Sequence, residues 1–208
     1  MRCLALPTGI AVLAMVWLGP LLSAWRESFA SGMVAHMAVV AVASPLIAIG
    51  LPDRWRPGPG MPAALPVLAS LFELLAVWGW HAPSLRGVAE TSVAGTIAEQ
   101  ATFLLAGIFL WSTSFAVPGD RLHAAIGAGA LLLTSIHMTL LGALLALSPR
   151  PLYGMGEVTC FGLMLNADQD QQLGGVIMLA VGAVVYLAGG LSLVGRLLTS
   201  TRGGVNVV

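Results

Sequence analysis

Side chains that bind metals recur within the apolar part of this sequence. His36, His81, His137 and Glu99 all stand within long apolar segments or at their ends. Imidazole and carboxylate groups ligate copper, zinc and iron, and the methionine thioether suits Cu(I). Met33 precedes His36 by three residues, which places both side chains on nearly the same face of a helix. We therefore predict a metal site formed by His36, His81, His137, Glu99 and Met33.

Each of these residues also has a simpler explanation. A single histidine in a membrane helix often hydrogen-bonds to a neighbouring carbonyl or serine, which would account for His137. His81 stands just before Ala82-Pro83 and could only cap its helix, and Glu99 could pair with Arg86. Methionine is a common filler of apolar cores. The sequence alone leaves these explanations open beside the metal site.

A second polar cluster opens the last apolar segment. It consists of Asp168, Asp170, Gln171 and Gln172. Carboxylates at the start of a helix satisfy the free amides of its first turn, so we predict that the two aspartates cap this helix. Polar groups at membrane depth also mark functional sites, so the cluster is a candidate site as well.

Composition determines which elements must position these residues. The chain is 58% hydrophobic and 9% charged, with a mean hydropathy of +0.92, whereas soluble domains are about 25% charged. About 20 apolar residues in a helix cross a hydrocarbon layer of about 30 Å. We predict an all-α polytopic integral membrane helical bundle, one domain over residues 1–208. The transmembrane helices are expected at about 4–24, 29–51, 62–82, 92–117, 122–147 and 170–198.

The basic residues orient this bundle. Six arginines fall at the termini and in the even-numbered loops, namely Arg2, Arg54, Arg56, Arg121, Arg196 and Arg202. Three fall on the opposite side, namely Arg26, Arg86 and Arg150. The positive-inside rule then predicts that both termini are cytoplasmic and that most of the polar candidates face the outer leaflet. The net charge of zero gives no indication of a nucleic-acid partner.

Several short runs resemble a known family. The chain carries LLGALL at Leu140–Leu145, PRPLY at Pro149–Tyr153 and DQQLGG at Asp170–Gly175. A WHxP motif stands earlier, at Trp80–Pro83. In this order the runs resemble the CtaG family of cytochrome c oxidase assembly factors, over about residues 29 to 190.

The chain departs from the family pattern at positions that matter for metal binding. Gly32 stands where the family has a histidine one turn before His36. Gln100 stands where a histidine follows the glutamate, here Glu99. The resemblance therefore implies a reduced site of His36, His81, Glu99 and His137, or a scaffold that has lost its metal.

The resemblance implies a non-enzymatic assembly factor for a haem-copper cytochrome c oxidase, in the bacterial cytoplasmic (inner) membrane. It would bind or relay copper at the periplasmic face, with oxidase subunits and lipid as partners. One alternative is a small metal or proton transporter that uses Glu73, Glu99 and His137. Another is a bis-histidine haem protein in which His36 or His81 faces His137. The chain carries no G-x-G-x-x-G, P-loop or H-E-x-x-H motif that would indicate an enzyme.

Overall fold

The fold is a helical bundle with one small hairpin. A computed structural model describes residues 2–58, 60–117, 119–154 and 156–202, and for residues 2 and 200–202, including Arg2 and Arg202, only the backbone. The helices are α1 Arg2–Leu18, α2 Phe29–Met37, α3 Ser44–Gly50, α4 Leu65–Trp80, α5 Pro83–Thr91, α6 Val93–Ser114, α7 Arg121–Ala146 and α8 Ala167–Arg202. The strands are β1 Glu157–Cys160 and β2 Leu163–Asn166. The predicted all-α membrane bundle is confirmed.

The predicted spans agree with the helices to within a few residues. Five are long and apolar enough to cross a membrane, namely Cys3–Leu22, Phe29–Gly50, Val93–Ser114, Arg121–Ala146 and Ala167–Thr199. The sixth is a bent pair, since α4 and α5 meet at 73°. Helix α4 has 16 residues and is about 24 Å long, which is shorter than the hydrocarbon layer. The orientation of the termini stays a prediction.

The second span is continuous but contains a wide turn. Residues Ala38–Ala43 are π-helical and join α2 to α3. Pro45 has no amide hydrogen to donate to this turn, and the Ser44 hydroxyl donates to the Val39 carbonyl at 2.8 Å instead. The Trp111 indole of α6 donates to the Val40 carbonyl at 3.2 Å. The Val40 carbonyl thus fastens α6 to the second span.

Two connecting segments contain structure that the sequence analysis did not predict. The segment after α4 forms α5, which begins at Pro83 and is stabilised by an Arg86–Glu90 ion pair of 2.7 Å. The segment between α7 and α8 forms the hairpin, whose two-residue turn is Phe161–Gly162. Both turn residues have positive φ, 51° and 82°, as a type I′ turn requires. We call the end of the bundle that carries this hairpin the hairpin end.

Helices α7 and α8 approach each other closely. A Cβ on Gly142 would lie 2.8 Å from the Gly175 carbonyl oxygen, and one on Gly175 would lie 2.6 Å from the Ala146 nitrogen. Only glycine allows backbones this near, which is how small residues promote helix packing in lipid. Gly142 and Gly175 therefore serve the close packing of α7 on α8.

Candidate functional site

Two of the predicted ligands come together at the hairpin end. His36 lies on α2 and His81 follows the last residue of α4, and their ring centroids are 5.4 Å apart in an edge-to-face arrangement. The Phe103 ring of α6 packs 4.0 Å from His36. The His81 Nδ1 donates to the Val77 carbonyl at 2.7 Å, because a carbonyl can only accept. This bond leaves His81 Nε2 as the nitrogen available to a ligand.

The His36 ring is buried without hydrogen bonds. Its exposed fraction is 2%, and neither ring nitrogen has a hydrogen-bond partner among the described residues. A buried polar atom without a partner costs free energy, so the pocket favours a group that these nitrogens can bind. Met33 lies three residues earlier on α2 and is also buried. The two imidazoles therefore fit a soft monovalent metal such as Cu(I), and the buried Met33 offers a thioether on the same helix as His36.

Arg86 lies beside this pair and carries a positive charge. Its Nε donates to a Glu90 carboxylate oxygen at 2.7 Å, and its Nη1 donates to a Glu99 oxygen at 3.4 Å. The guanidinium also lies over the Phe29 ring, 5.5 Å from the centroid. A Cβ on Gly32 would meet the Arg86 Nη2 at 2.7 Å. Arg86 thus fills the space beside Gly32 and engages Glu99, which is therefore a weaker candidate ligand.

Gln100, the second position at which the chain departs from the family pattern, hydrogen-bonds to two neighbouring side chains. The Gln100 amide donates to the other Glu99 carboxylate oxygen at 3.4 Å. Its carbonyl oxygen accepts a hydrogen bond of 3.3 Å from the Trp17 indole of α1. Gln100 therefore connects Glu99 to the first helix.

His137 does not join the pair. It lies on α7, 4% exposed, and its ring nitrogens have no hydrogen-bond partner within the described part of the chain. The ring contacts of His36 and His81 go instead to each other, Phe29 and Phe103. Across the described ranges, no three His, Cys, Asp or Glu side chains converge as a metal cluster. The role of His137 stays a prediction.

Glu73 forms a separate polar contact among α4, α7 and α8. The Tyr186 hydroxyl donates to a Glu73 carboxylate oxygen at 2.6 Å, and both side chains are fully buried. One helical turn away, the Ser70 and Thr134 hydroxyls are 2.8 Å apart. These bonds tie three helices together where apolar packing alone would not fix their register.

The polar cluster in the first turns of α8 has a different role from the expected one. Asp170 accepts from the Ser28 hydroxyl at 2.7 Å, from the Phe29 amide at 2.6 Å and from the Ala30 amide at 3.1 Å. It therefore caps α2, not its own helix. The expectation that Asp170 caps α8 was wrong, because the first amides of α2 lie within hydrogen-bonding distance of its carboxylate.

The start of α8 is capped by other residues. The Gln169 amide donates to the Asn166 side chain at 2.9 Å, and the Asn166 amide donates back to the Gln169 side chain at 3.2 Å. This reciprocal pair is a capping box. Asp168 and Gln172 are exposed, whereas Gln171 is buried.

Gln171 instead fastens the end of α7. Its side chain donates to the Leu145 carbonyl at 3.0 Å and accepts from the Leu152 amide at 2.6 Å. Gln171 is therefore a structural residue that holds the segment leading to Tyr153.

Tyr153 belongs to the site but was not singled out from the sequence. Its hydroxyl donates to the His81 carbonyl at 2.5 Å, and its ring stacks on Phe29 at a centroid distance of 4.4 Å. Burial raises the pKa of the Tyr153 phenol to about 12. The only sequence signal for this role was its place in the PRPLY run.

An open cavity of about 820 Å³ lies at the hairpin end, beside Tyr153 and Phe29. We call it the vestibule. Its lining includes the acidic side chains of Glu27, Glu90 and Glu157. The stacked Phe29 and Tyr153 rings line the vestibule on one side and contact His81 on the other.

Comparison with known proteins adds one match. The model of the family described as cytochrome c oxidase caa3 assembly factor (Caa3_CtaG) matches residues 1–200. No curated protein and no solved structure matches the chain.

Proposed function

Because the chain belongs to the cytochrome c oxidase caa3 assembly factor family, we propose that it assists oxidase assembly by accepting Cu(I) at His36 and His81. The observation that carries this proposal is the buried imidazole pair, 5.4 Å between centroids, with both His36 nitrogens lacking partners among the described residues. In this proposal the chain binds copper in order to pass it on, and it performs no catalytic step.

The donor set favours the reduced metal. Imidazole and thioether are donors that Cu(I) accepts, and the rings of Phe103 and Phe29, which pack on His36 and His81, would shield a soft ion. Met33 lies on the face of α2 that carries His36 and is the third donor in the proposal. Glu99 is engaged by Arg86 at 3.4 Å, so the proposed set does not depend on it.

The vestibule is the proposed entrance. Its lining contains Glu27, Glu90, Glu157 and Asp170 against one cation, Arg26, and this excess of carboxylates would attract a cation. The stacked rings of Phe29 and Tyr153 stand between this entrance and His81. Entry therefore requires these rings to part. By the distribution of arginines, the vestibule faces the periplasm, the side from which copper reaches the oxidase in this proposal.

The test is complementation of a deletion strain. The strain receives the parent chain, the His36→Ala/His81→Ala double variant or the His123→Ala variant, at membrane levels matched by immunoblot. His123 is the control because it lies at the opposite end of the bundle, bonded to Asp120 at 2.9 Å. We expect the parent and the control to restore copper per haem in the purified oxidase, and the double variant not to. Full copper loading with the double variant would contradict the proposal.

A further inference from the structure

A groove runs along the side of the bundle, between α1 and the first half of α6. Its volume is about 520 Å³, which is within the usual range of ligand sites. The lining residues include Trp17, Leu22, Arg26, Val93, Ile97 and Gln100. Val93 and Ile97 are 67% and 63% exposed. In a bundle that spans the membrane, side chains exposed on this face meet acyl chains.

The packing of α1 explains why the groove exists. A Cβ on Gly50 would collide with the Leu6 nitrogen, and one on Gly9 would lie 2.8 Å from the Ile47 side chain. The early part of α1 therefore packs tightly on α3. Towards the hairpin end, α1 reaches α6 through the Trp17–Gln100 hydrogen bond of 3.3 Å, and the groove lies beside this bond.

A cation stands at the mouth of the groove with hydrogen-bonding capacity to spare. The Arg26 Nη2 donates to the Ala89 carbonyl at 3.2 Å and to the Thr96 hydroxyl at 2.9 Å. Its Nε is buried and has no partner among the described residues. Among the residues that the structure describes, no carboxylate oxygen lies within 4.0 Å of an Arg26 side-chain nitrogen. Arg86, by contrast, pairs with both Glu90 and Glu99.

We propose that this groove binds an anionic phospholipid, with one acyl chain along Val93 and Ile97 and the phosphate at Arg26. Phosphate oxygens are strong acceptors for a guanidinium, and the Arg26 side chain is half-buried, so part of it is open to an acceptor in the groove. The apolar wall matches an acyl chain. A neutral zwitterionic headgroup would leave the charge of Arg26 less completely balanced.

The occupied groove would also touch the candidate site. Gln100 lines the groove and donates to Glu99, which pairs with Arg86. A lipid in the groove therefore supports the Trp17–Gln100 contact and keeps water away from Glu99.

The test is native mass spectrometry of the full chain, released from detergent with phosphatidylglycerol or phosphatidylcholine of identical acyl chains. We expect the parent to retain phosphatidylglycerol about tenfold better, because the choline ammonium of phosphatidylcholine offsets the phosphate charge that Arg26 attracts. Arg26→Gln should abolish this preference. Arg150→Gln, an exposed arginine in the segment that leads to the hairpin, should preserve it.

A second variant tests the groove without touching its charge. Ala101 lines the groove and is exposed, so Ala101→Trp should fill the groove and reduce retention of both lipids. An unchanged preference in Arg26→Gln, or an equal loss in Arg150→Gln, would overturn the proposal. Retention of neither lipid, together with an oxidase subunit that co-purifies with the parent and is lost in Ala101→Trp, would assign the groove to a partner helix and also overturn it.

Discussion

The guanidinium group of Arg86 lies against the backbone of Gly32, with its Nη2 2.7 Å from the point where a Cβ would stand. Gly32 is one helical turn before His36 on α2, so a positive charge borders the imidazole pair. Glu90 and Glu99 hold that charge in place. The chain thus places an arginine beside the proposed copper site, and this arrangement has consequences for both stability and metal affinity.

Gly32→Ala should destabilise the protein by about 1–3 kcal/mol, the usual cost of overpacking. The new methyl group would push the Arg86 tip away from Glu99. In an Arg86→Ala background the same change should cost much less, because the obstructing group is gone. Thermal unfolding of the four proteins in detergent measures this coupling. Additive effects of the two substitutions would contradict the contact.

Arg86→Gln should raise the affinity of the protein for Cu(I) by about tenfold, because it removes a nearby positive charge. Competition with a Cu(I) chelator under anaerobic conditions measures the change. Arg150→Gln is the control, since Arg150 is exposed in the segment that follows α7. Unchanged or weaker binding in Arg86→Gln would mean that the arginine does not oppose the metal.

Asp170→Ala should cost about 2–4 kcal/mol of unfolding free energy, because it removes the cap of α2 and leaves two buried amides without an acceptor. Asp168→Ala is the matched control, and its effect should stay within about 0.5 kcal/mol since the side chain is exposed. Chemical unfolding followed by tryptophan fluorescence separates the two. Equal losses would contradict the assignment of Asp170 as the cap of α2.

Tyr153 should make the stability of the protein depend on alkaline pH. Burial raises its pKa from 10.0 to about 12, so the unfolded chain loses this proton first as the pH rises. The contribution is complete below about pH 10 and falls as the pH approaches about 12. Tyr153→Phe should remove this part of the decline while it keeps the stack on Phe29. Melting temperatures from pH 8 to pH 11.5 test this, and an unchanged pH dependence in the variant would contradict it.

Some features of this molecule could be predicted from local sequence and others could not. Five of the apolar spans were predictable because each described helix is long and apolar enough to cross a membrane by itself. The 73° bend after His81 and the hairpin were not, because they depend on short segments with weak periodicity. Phe161 adopts a φ of 51°, which is uncommon for an aromatic residue and gave no turn signal.

Some residues of the candidate site could likewise be predicted from the sequence, and others could not. Residue types identified His36 and His81, but the approach of their rings depends on how α2 packs against the end of α4. Sequence adjacency predicts that Asp170 caps its own helix, whereas its actual partners lie 140 to 142 residues earlier in the chain. Tyr153 could not be assigned, since its partner His81 is 72 residues away along the chain.

Copper content and X-ray absorption of the purified protein, loaded anaerobically with Cu(I), test most directly whether His36 and His81 hold the metal. We expect about one copper per chain with imidazole nitrogen ligands, as a two-histidine site allows. The His36→Ala/His81→Ala variant should lose this copper, and His137→Ala should retain it. Absence of copper from the parent, or equal loading of the double variant, would contradict the proposal that His36 and His81 hold the metal.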